Sequence, residues 1–306
     1  MDSILSRRHY RTAFYFLVAL ILFFSTTLRF LVLPQFDVKL ETSLLGFGAA
    51  LLDGLVISLL VTVLIGSFVF WLTPEILKKS VMDVIEPKEI GPLLKKSVAD
   101  TKTWTYKGAC GRYTRATTLP SLASAAKHEG LGRDIRITIL NPNNDLLCAE
   151  YATYRRSLKS ASNSHPWTEA KVKEEIIATI VSALRFRHEE PLLRIELYLI
   201  DHFSAFRFDI SDQHVIVTKE DKEASGLRAD AGTYFYDSYK DDVRLSERQS
   251  INVSYQDEVP LGNELTNETL CALILKASLI DPDKLRNLDL SVIRKSINSH
   301  EDPYSS

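Results

Sequence analysis

The chain has 306 residues, of which 45% are hydrophobic and 25% charged, and its formal net charge at pH 7 is -2. This balance excludes a global electrostatic basis for nonspecific nucleic-acid binding, although a local basic patch is compatible with it. The three cysteines are widely spaced and form no C-x-x-C pair. They predict reduced, buried thiols rather than a disulfide framework, and we expect no metal site and no cofactor.

Two long apolar runs lie near the N-terminus, over residues 12–33 and 46–72. A helix that crosses the hydrocarbon core of a bilayer needs about 20 mostly apolar residues, so both runs are predicted to span a membrane. A cleaved signal peptide is the competing interpretation of the first run. Signal peptides have shorter apolar regions that end in small residues, whereas this run continues through Arg29 and Phe30. Residues 1–73 are therefore predicted to form a transmembrane hairpin.

Flanking cations predict the orientation of this hairpin. Arg7, Arg8 and Arg11 precede the first run, and Lys78 and Lys79 follow the second. Lysine and arginine next to membrane spans stay preferentially on the cytoplasmic side. The chain is therefore predicted to be a multi-pass protein of the lipid bilayer with both termini in the cytoplasm.

Arg29 and Asp53 are the ionisable residues inside the two runs, and both fall toward the far-side interface. A charge at the bilayer centre costs a few kcal/mol even on insertion-based scales. One interpretation is that both side chains reach the headgroups, with or without a mutual salt bridge. The other is that they line or gate a pore formed by several copies of the chain, which makes them candidate residues for a membrane function.

The remaining residues predict a cytosolic α/β domain over 104–290, preceded by a juxtamembrane stalk over 74–103 and followed by a polar tail over 291–306. Alternation of strand-like and helix-like segments favours a mixed, largely parallel sheet with flanking helices. SAFRFDIS and HVIVTK read as a strand pair, and TYFYDSY as a further strand. Pro87 and Pro92 are expected to break the stalk into short pieces.

Two segments resemble a phospholipase D-like half-domain. GRYTRATTLPSLASAAKHEGLGRDIRITILNPNN is similar to its opening βαβ unit, and IELYLIDHFSAFRFDISDQHVIVTKED resembles its later strands. Members of that family carry an H-x-K-x-x-x-x-D motif. The best match here places Ala205 at the histidine, Arg207 at the lysine and Asp212 at the aspartate. Because the nucleophilic histidine is missing and a second copy is absent, we expect no hydrolysis by this route and assign no catalytic residue.

Anion or partner binding is the chemistry that such a domain could retain. The carboxyl ends of strands collect ligands in α/β folds, and arginine suits phosphate through bidentate hydrogen bonds. A solvated or salt-bridged surface role is the alternative for each arginine alone. The candidate binding residues are Arg112, Arg115, Asn141, Asn143, Arg155, Arg156 and Arg207.

The layout of a two-span hairpin and a cytosolic α/β domain without catalytic motifs resembles the two-transmembrane effector of a bacterial retron, an anti-phage defence system. The resemblance implies a toxic effector of the inner membrane. It also implies that a reverse transcriptase and its RNA-linked DNA hold the cytosolic domain inactive until infection triggers release. Membrane disruption by a homo-oligomer would then halt growth of the infected cell, an outcome called abortive infection.

Three other classes stay open. The chain could be a membrane effector that responds to a cyclic nucleotide. It could be a membrane-anchored phosphodiesterase that uses His128, His202 or His214. It could also be a membrane-anchored scaffold, which would show no toxicity on overexpression.

Overall fold

A computed structural model describes residues 8–32, 44–72, 81–160, 166–255 and 265–299. The chain divides into two compact units, Met1–Lys78 and Lys79–Ser306. Arg7, Lys78 and Lys79, on which the predicted orientation partly depends, lie outside the described residues, as does the connection between the two apolar runs.

The first unit contains helices α1 (Arg8–Thr27) and α2 (Leu44–Leu72), with a π-helical turn, Leu28–Val32, after α1. Within the described residues, one helical stretch is long and apolar enough to cross a membrane. This stretch, Gly46–Phe68, has 23 residues, a mean hydropathy of 2.3 and no part buried. The apolar stretch of the first run, Val18–Val32, is shorter. A hairpin of two spans therefore stays a prediction.

The second unit is a mixed α/β fold. Its first half contains β1 (Asp83–Ile85), α3 (Pro87–Ala99), β2 (Thr103–Lys107), a π-helix (Thr114–Thr118), α4 (Leu119–Glu129), β3 (Arg133–Leu140) and α5 (Asp145–Ser157). Its second half contains α6 (Glu169–Glu189), β4 (Leu193–Ile200), β5 (Phe206–Ile210), β6 (His214–Lys219), β7 (Gly226–Asp230), α7 (Tyr234–Arg248), β8 (Ile251–Asn252), α8 (Asn267–Lys276), α9 (Pro282–Leu285) and α10 (Leu290–Asn298).

The eight strands form one sheet in the order β1-β7-β6-β5-β2-β3-β4-β8. Strands β2, β3 and β4 are parallel, and the other pairs are antiparallel. The sheet is therefore mixed as predicted, with its parallel part confined to three strands. Since β2 and β6 both run antiparallel to β5, they share a direction, and their carboxyl ends lie at one edge of the sheet.

Helices cover both faces of the sheet. The main core lies on one face, where α3, α4, α5, α6, α8 and α10 bury their apolar residues. On the other face α7 packs Tyr236 and Val243 against Phe208, Val215 and Val217 of β5 and β6. The strands alternate between these two cores because successive side chains of a strand point to opposite faces.

The described part of the predicted stalk belongs to the α/β unit. Strand β1 pairs with β7, and α3 buries Ile90, Leu94 and Val98. The expected break into short pieces does not occur: α3 is one helix, with Pro87 at its start and Pro92 inside it. Proline is tolerated in the first turn, and the buried apolar stripe holds the remainder of the helix in place.

Two further segments differ from the sequence-based expectation. The predicted polar tail begins as helix α10, which buries Ile293 and Ile297 and packs on α6. The predicted strand TYFYDSY is the start of α7. Its aromatic residues suit a strand by propensity, but Thr233 caps a helix there by accepting a hydrogen bond from the Tyr236 amide at 3.3 Å.

Candidate anion-binding site

A cavity of ≈ 60 Å³ lies at the carboxyl edge of β2, within the α/β unit. The loop between β2 and the π-helix forms one wall, and residues from β5, α5 and the segments after β6 and before α6 form the others. The lining residues are Tyr106, Cys110, Gly111, Arg112, Tyr113, Tyr151, Arg155, Trp167, Arg207, Glu220 and Lys222. This is the edge at which α/β folds place their ligands.

Two glycines shape the loop that forms the wall. Gly111 has a φ of +68°, and a β-carbon there would lie 2.8 Å from the Thr179 side chain of α6. At Gly108 a β-carbon would lie 2.6 Å from Cζ of Tyr106. The loop therefore runs closer to β2 and α6 than any side chain would permit, and the helical turn that follows begins at the cavity.

Arg207 is a deeply buried cation in the cavity wall. Its side chain is 6% exposed, and its Nε donates to Oδ2 of Asp209 at 3.0 Å. Burial raises the pKa of Asp209, and the neighbouring guanidinium opposes that rise. The ion pair fixes the guanidinium while leaving the side chain in the cavity lining. Arg207 is a predicted site residue that the structure places at the cavity.

Arg155 and Arg112 line the same cavity and share one aromatic neighbour. The Arg155 guanidinium lies 4.8 Å from the centroid of the Trp167 ring, and that of Arg112 lies 5.7 Å from it. Nη1 of Arg155 donates to the backbone oxygen of Glu220 at 2.6 Å. Cation–π contacts and this hydrogen bond hold both guanidinium groups at the cavity.

Arg156 contacts the site only through Trp167. Its Nη1 donates to the backbone oxygen of Trp167, and its Nη2 donates to the Thr153 hydroxyl at 3.0 Å. Arg156 does not line the cavity. Its role is therefore to position the tryptophan on which Arg112 and Arg155 rest.

Glu220 is the carboxylate in the cavity lining, and its charge shifts the pKa values of the buried groups around it. Burial raises the pKa of the Tyr106 and Tyr151 hydroxyls and of the Cys110 thiol, and the charge of Glu220 adds to each rise. Cys110 therefore stays a protonated thiol, as expected for a buried structural cysteine.

Arg115 was predicted as a binding residue, but it does not line the cavity. Its side chain is 6% exposed, and Nη2 lies 2.8 Å from Oε2 of Glu175. Nη1 donates to the Thr179 hydroxyl at 3.2 Å. These contacts attach the π-helix to α6, so Arg115 has a structural role.

Asn141 and Asn143 lie after β3 and are also absent from the cavity lining. The Asn141 amide donates to Asp201 at 3.0 Å, and its oxygen accepts from the Asn143 backbone at 3.0 Å. Asn143 donates to Asp281 at 3.2 Å. Both side chains therefore hold the turn after β3 and the start of α9 in place.

The candidate histidines of a phosphodiesterase lie apart from this cavity. His202 is on an exposed loop and His128 is exposed near the end of α4. His214 begins β6, so it lies at the opposite edge of the sheet from the cavity, where its Nε2 is 2.5 Å from the Ser97 hydroxyl. The structure thus brings none of the three to the arginines.

Asp212 and Ala205 likewise make no catalytic arrangement with Arg207. Asp212 accepts hydrogen bonds from the backbone amides of Lys102 at 2.6 Å and Thr103 at 3.1 Å. Burial acts to raise the pKa of the Asp212 carboxyl, but these hydrogen bonds and those from neighbouring hydroxyls outweigh burial and hold the pKa below its ordinary value. The carboxylate therefore anchors the start of β2, at the edge away from the cavity.

Eight of the eleven lining residues were not among the predicted site residues: Tyr106, Cys110, Gly111, Tyr113, Tyr151, Trp167, Glu220 and Lys222. A partial signal existed for Glu220 and Lys222, because they directly follow the second strand of the predicted pair. The pairing of β5 with β2, which places the end of β6 at the carboxyl edge of β2, is seen only in the structure. No periodicity in the sequence links Tyr151 or Trp167 to the site. Their placement results from packing of α5 against α6.

In the first unit, the backbone of Arg29 belongs to the π-helical turn Leu28–Val32, and Asp53 is a partly exposed residue of α2. Within the part of the chain that the structure describes, no group of three histidine, cysteine, aspartate or glutamate side chains could hold a metal ion.

Comparisons with known proteins give little further constraint. No protein-family model and no curated protein matches the chain. One solved structure, described as "Structure of TrmBL2, an archaeal chromatin protein, shows a novel mode of DNA binding", is 11% identical with a TM-score of 0.34. The match covers 55% of this chain and 52% of that one, so the chain spans about half the length of that relative. A similarity of this size carries no argument about function.

Proposed function

We propose that the protein is a membrane effector, in which the apolar N-terminal unit acts in a lipid bilayer and the α/β unit controls it. The observation that carries this proposal is the helical stretch Gly46–Phe68, whose 23 residues have a mean hydropathy of 2.3 and include one charged side chain, Asp53. Phe47, Leu51, Leu64 and Phe68 are all exposed. A helix that is apolar on every side requires an apolar environment, and lipid provides one.

The proposal includes the finer topology inferred from the sequence. The first apolar run would form a second span, so that both termini face the cytoplasm of a bacterial inner membrane. Arg29 and Asp53 would then lie in the apolar region and become tolerable when several copies bury them together. This arrangement explains how a short hairpin could damage a membrane only after association.

The proposal gives the α/β unit a controlling role rather than a hydrolytic one. Three arginines converge on its cavity, whereas His128, His202 and His214 lie elsewhere. By resemblance to retron effectors, the controlling partners would be a reverse transcriptase and its RNA-linked DNA, and their release would trigger abortive infection. The basic cavity also supports a second candidate, a membrane effector controlled by a small nucleotide.

Membrane depolarisation in cells tests the proposal. Expression of the full chain is expected to depolarise the inner membrane, and expression of residues 79–306, the complete α/β unit, is not. Asp53→Leu and Arg29→Leu are expected to weaken killing while the protein still fractionates with membranes. Ser58→Leu is the matched control, since it removes a polar group from the same helix without removing a charge.

Two results would count against this proposal. Full-length protein that leaves the membrane potential unchanged would exclude a membrane effector. Killing that is unchanged in both charge variants would remove Arg29 and Asp53 from the mechanism and leave the spans as a tether.

A further inference from the structure

The cavity at the carboxyl edge of β2 has the charge of an anion site. Its lining contains four cationic residues, Arg112, Arg155, Arg207 and Lys222, against the single carboxylate of Glu220. Arg207 is paired with Asp209, and Arg112 lies 3.8 Å from Glu175, so the excess of positive charge over these carboxylates and Glu220 is one. The cavity therefore carries a net positive charge and is matched to an anionic ligand.

One buried donor at the cavity adds an independent indication. Nε of Arg155 is buried and has no hydrogen-bond partner among the described residues. Buried polar groups in proteins are nearly always paired, so an unsatisfied guanidinium nitrogen in a cavity wall calls for an acceptor. An anionic oxygen in the cavity would be such an acceptor.

The size of the cavity limits the ligand group that enters it. A buried water needs about 10–15 Å³ of cavity volume. The ≈ 60 Å³ here therefore holds a few waters or one group about the size of a phosphate. A base or a sugar would have to remain at the mouth, where the Arg112 side chain is 42% exposed.

The guanidinium groups are fixed in advance of binding. Asp209 holds Arg207, and the Trp167 ring and the Glu220 backbone hold Arg155. Planar guanidinium groups that are already oriented lose little entropy when they bind phosphate oxygens.

Glu220 disfavours a fully ionised anion in this cavity and favours a ligand with a hydroxyl group. A carboxylate repels a bare anion but accepts hydrogen bonds from hydroxyl groups next to it. Its Oε2 lies 3.4 Å from Nη1 of Arg155, so it sits beside the phosphate-binding group. This pairing suits a phosphate ester whose alcohol part carries a free hydroxyl, as a ribose or deoxyribose does.

We propose that this cavity binds the phosphate group of a nucleotide through Arg112, Arg155 and Arg207, with Glu220 accepting a hydrogen bond from a sugar hydroxyl. The inference rests on the proposed function, because it names the ligand class through which the α/β unit would control the membrane unit. The nucleotide is either free or the phosphorylated end of a nucleic-acid strand, since both present the same chemistry.

Binding to the purified full chain in detergent micelles tests this inference. The probes are adenosine 5′-monophosphate, inorganic phosphate and a single-stranded oligodeoxynucleotide with and without a 5′-phosphate, measured by calorimetry. We expect the monophosphate to bind more tightly than inorganic phosphate. Preference for the phosphorylated oligonucleotide over both its unphosphorylated form and the mononucleotide would identify a strand end as the source.

Three variants and a control assign the binding to the cavity. Arg112→Gln removes an exposed charge without disturbing the core and is expected to weaken monophosphate binding about tenfold. Arg155→Gln is expected to weaken it at least as much. Glu220→Gln is expected to abolish the preference over inorganic phosphate. Arg286→Gln, a change at a side chain that is 80% exposed and outside the lining, is expected to leave binding unchanged.

Absence of binding by every probe, or equal binding by the Arg112→Gln and Arg286→Gln variants, would overturn the inference. A preference for inorganic phosphate would overturn the assignment to a nucleotide. Depolarisation by the full chain is measured without any added probe. The test of the proposed function is therefore independent of the test of this ligand. A protein that depolarises membranes but binds no probe would retain the proposed function and lose this ligand.

Discussion

The charged residues singled out at the two edges of the central sheet differ in their surroundings: those at one edge line a cavity, whereas Asp212 and His214 at the other are engaged with neighbouring groups. At the carboxyl edge of β2, Arg112, Arg155 and Arg207 line a cavity of ≈ 60 Å³. At the amino edge, Asp212 is occupied by the backbone of Lys102 and Thr103, and His214 contacts Ser97. Charge by itself therefore does not mark a site in this fold. A site also needs side chains that are held in place while an open volume remains between them.

The largest effect is expected for the buried carboxylate at the carboxyl edge. Asp209→Ala leaves the guanidinium of Arg207 buried without its counter-ion, and the free energy of unfolding should fall by about 3–5 kcal/mol. Chemical denaturation of the full chain in micelles, followed by tryptophan fluorescence, measures this change.

The matched control is Asp212→Ala in the same segment but at the amino edge. Its backbone partners can turn to water because Asp212 is exposed, so a loss of about 1–2 kcal/mol is expected. Equal losses of stability in Asp209→Ala and Asp212→Ala would show that the buried and the exposed carboxylate contribute equally. The double variant Arg207→Met with Asp209→Leu should recover most of the lost stability, because it removes both buried charges.

The next effect concerns the glycine that shapes the cavity wall. Gly111→Ala meets both an unfavourable φ of +68° and the Thr179 side chain at 2.8 Å, and should cost about 3 kcal/mol. Gly130→Ala has a similar φ of +65° at the end of α4 but nothing within 4 Å, and should cost about 1 kcal/mol.

Thermal unfolding measures the stability of both glycine variants. Because Gly111 and Gly130 have a similar φ, the difference in stability reports the steric contact of the added methyl group at position 111. The comparison would be contradicted by a Gly111→Ala protein that is no less stable than the Gly130→Ala protein. In that case the loop would have room for a side chain, and the wall would be less tightly defined than the distances indicate.

The last comparison concerns a pH dependence at the amino edge. Burial, with Arg228 and Lys96 nearby, lowers the pKa of His214 from 6.5 to about 4, although Asp230 opposes this shift. Between these values the unfolded chain binds a proton that the folded chain does not. The stability contributed by neutral His214 is therefore complete above pH 6.5 and declines as the pH falls toward 4.

His214→Asn should flatten this part of the stability profile, and the difference between the two proteins cancels the titration of shared carboxylates. The measurement is the free energy of unfolding at several pH values between 4 and 7. Parallel profiles for the two proteins would show that His214 titrates normally in the folded state.

Local patterns in the sequence determined much of the fold. The predicted strand pair β5–β6 is confirmed. Local sequence also accounts for the start of α5, where the Asn144 oxygen accepts from the Leu147 amide at 3.1 Å. These features depend on residues close in sequence, so periodicity and capping signals suffice to predict them. The apolar stretch Gly46–Phe68 is equally a property of composition.

Tertiary structure determined the features that depend on contacts between residues far apart in the sequence. The segment TYFYDSY became a helix because the second face of the sheet offers an apolar surface to Tyr236 and Val243. Strand β7 formed inside a charged loop because β6 provided a hydrogen-bonding partner. Neither surface is visible to local propensity, which is why the strand predicted for TYFYDSY was wrong.

The same division applies to the candidate site. The sequence by itself indicated seven candidate binding residues, of which Arg112, Arg155 and Arg207 line the cavity. Only the tertiary structure separated them from Arg115, which is engaged with Glu175, and brought Glu220 and Trp167 to the same cavity. The physical reason is that a residue's position along a strand determines the edge it occupies, whereas packing between helices determines whether its charge is neutralised or faces an open volume.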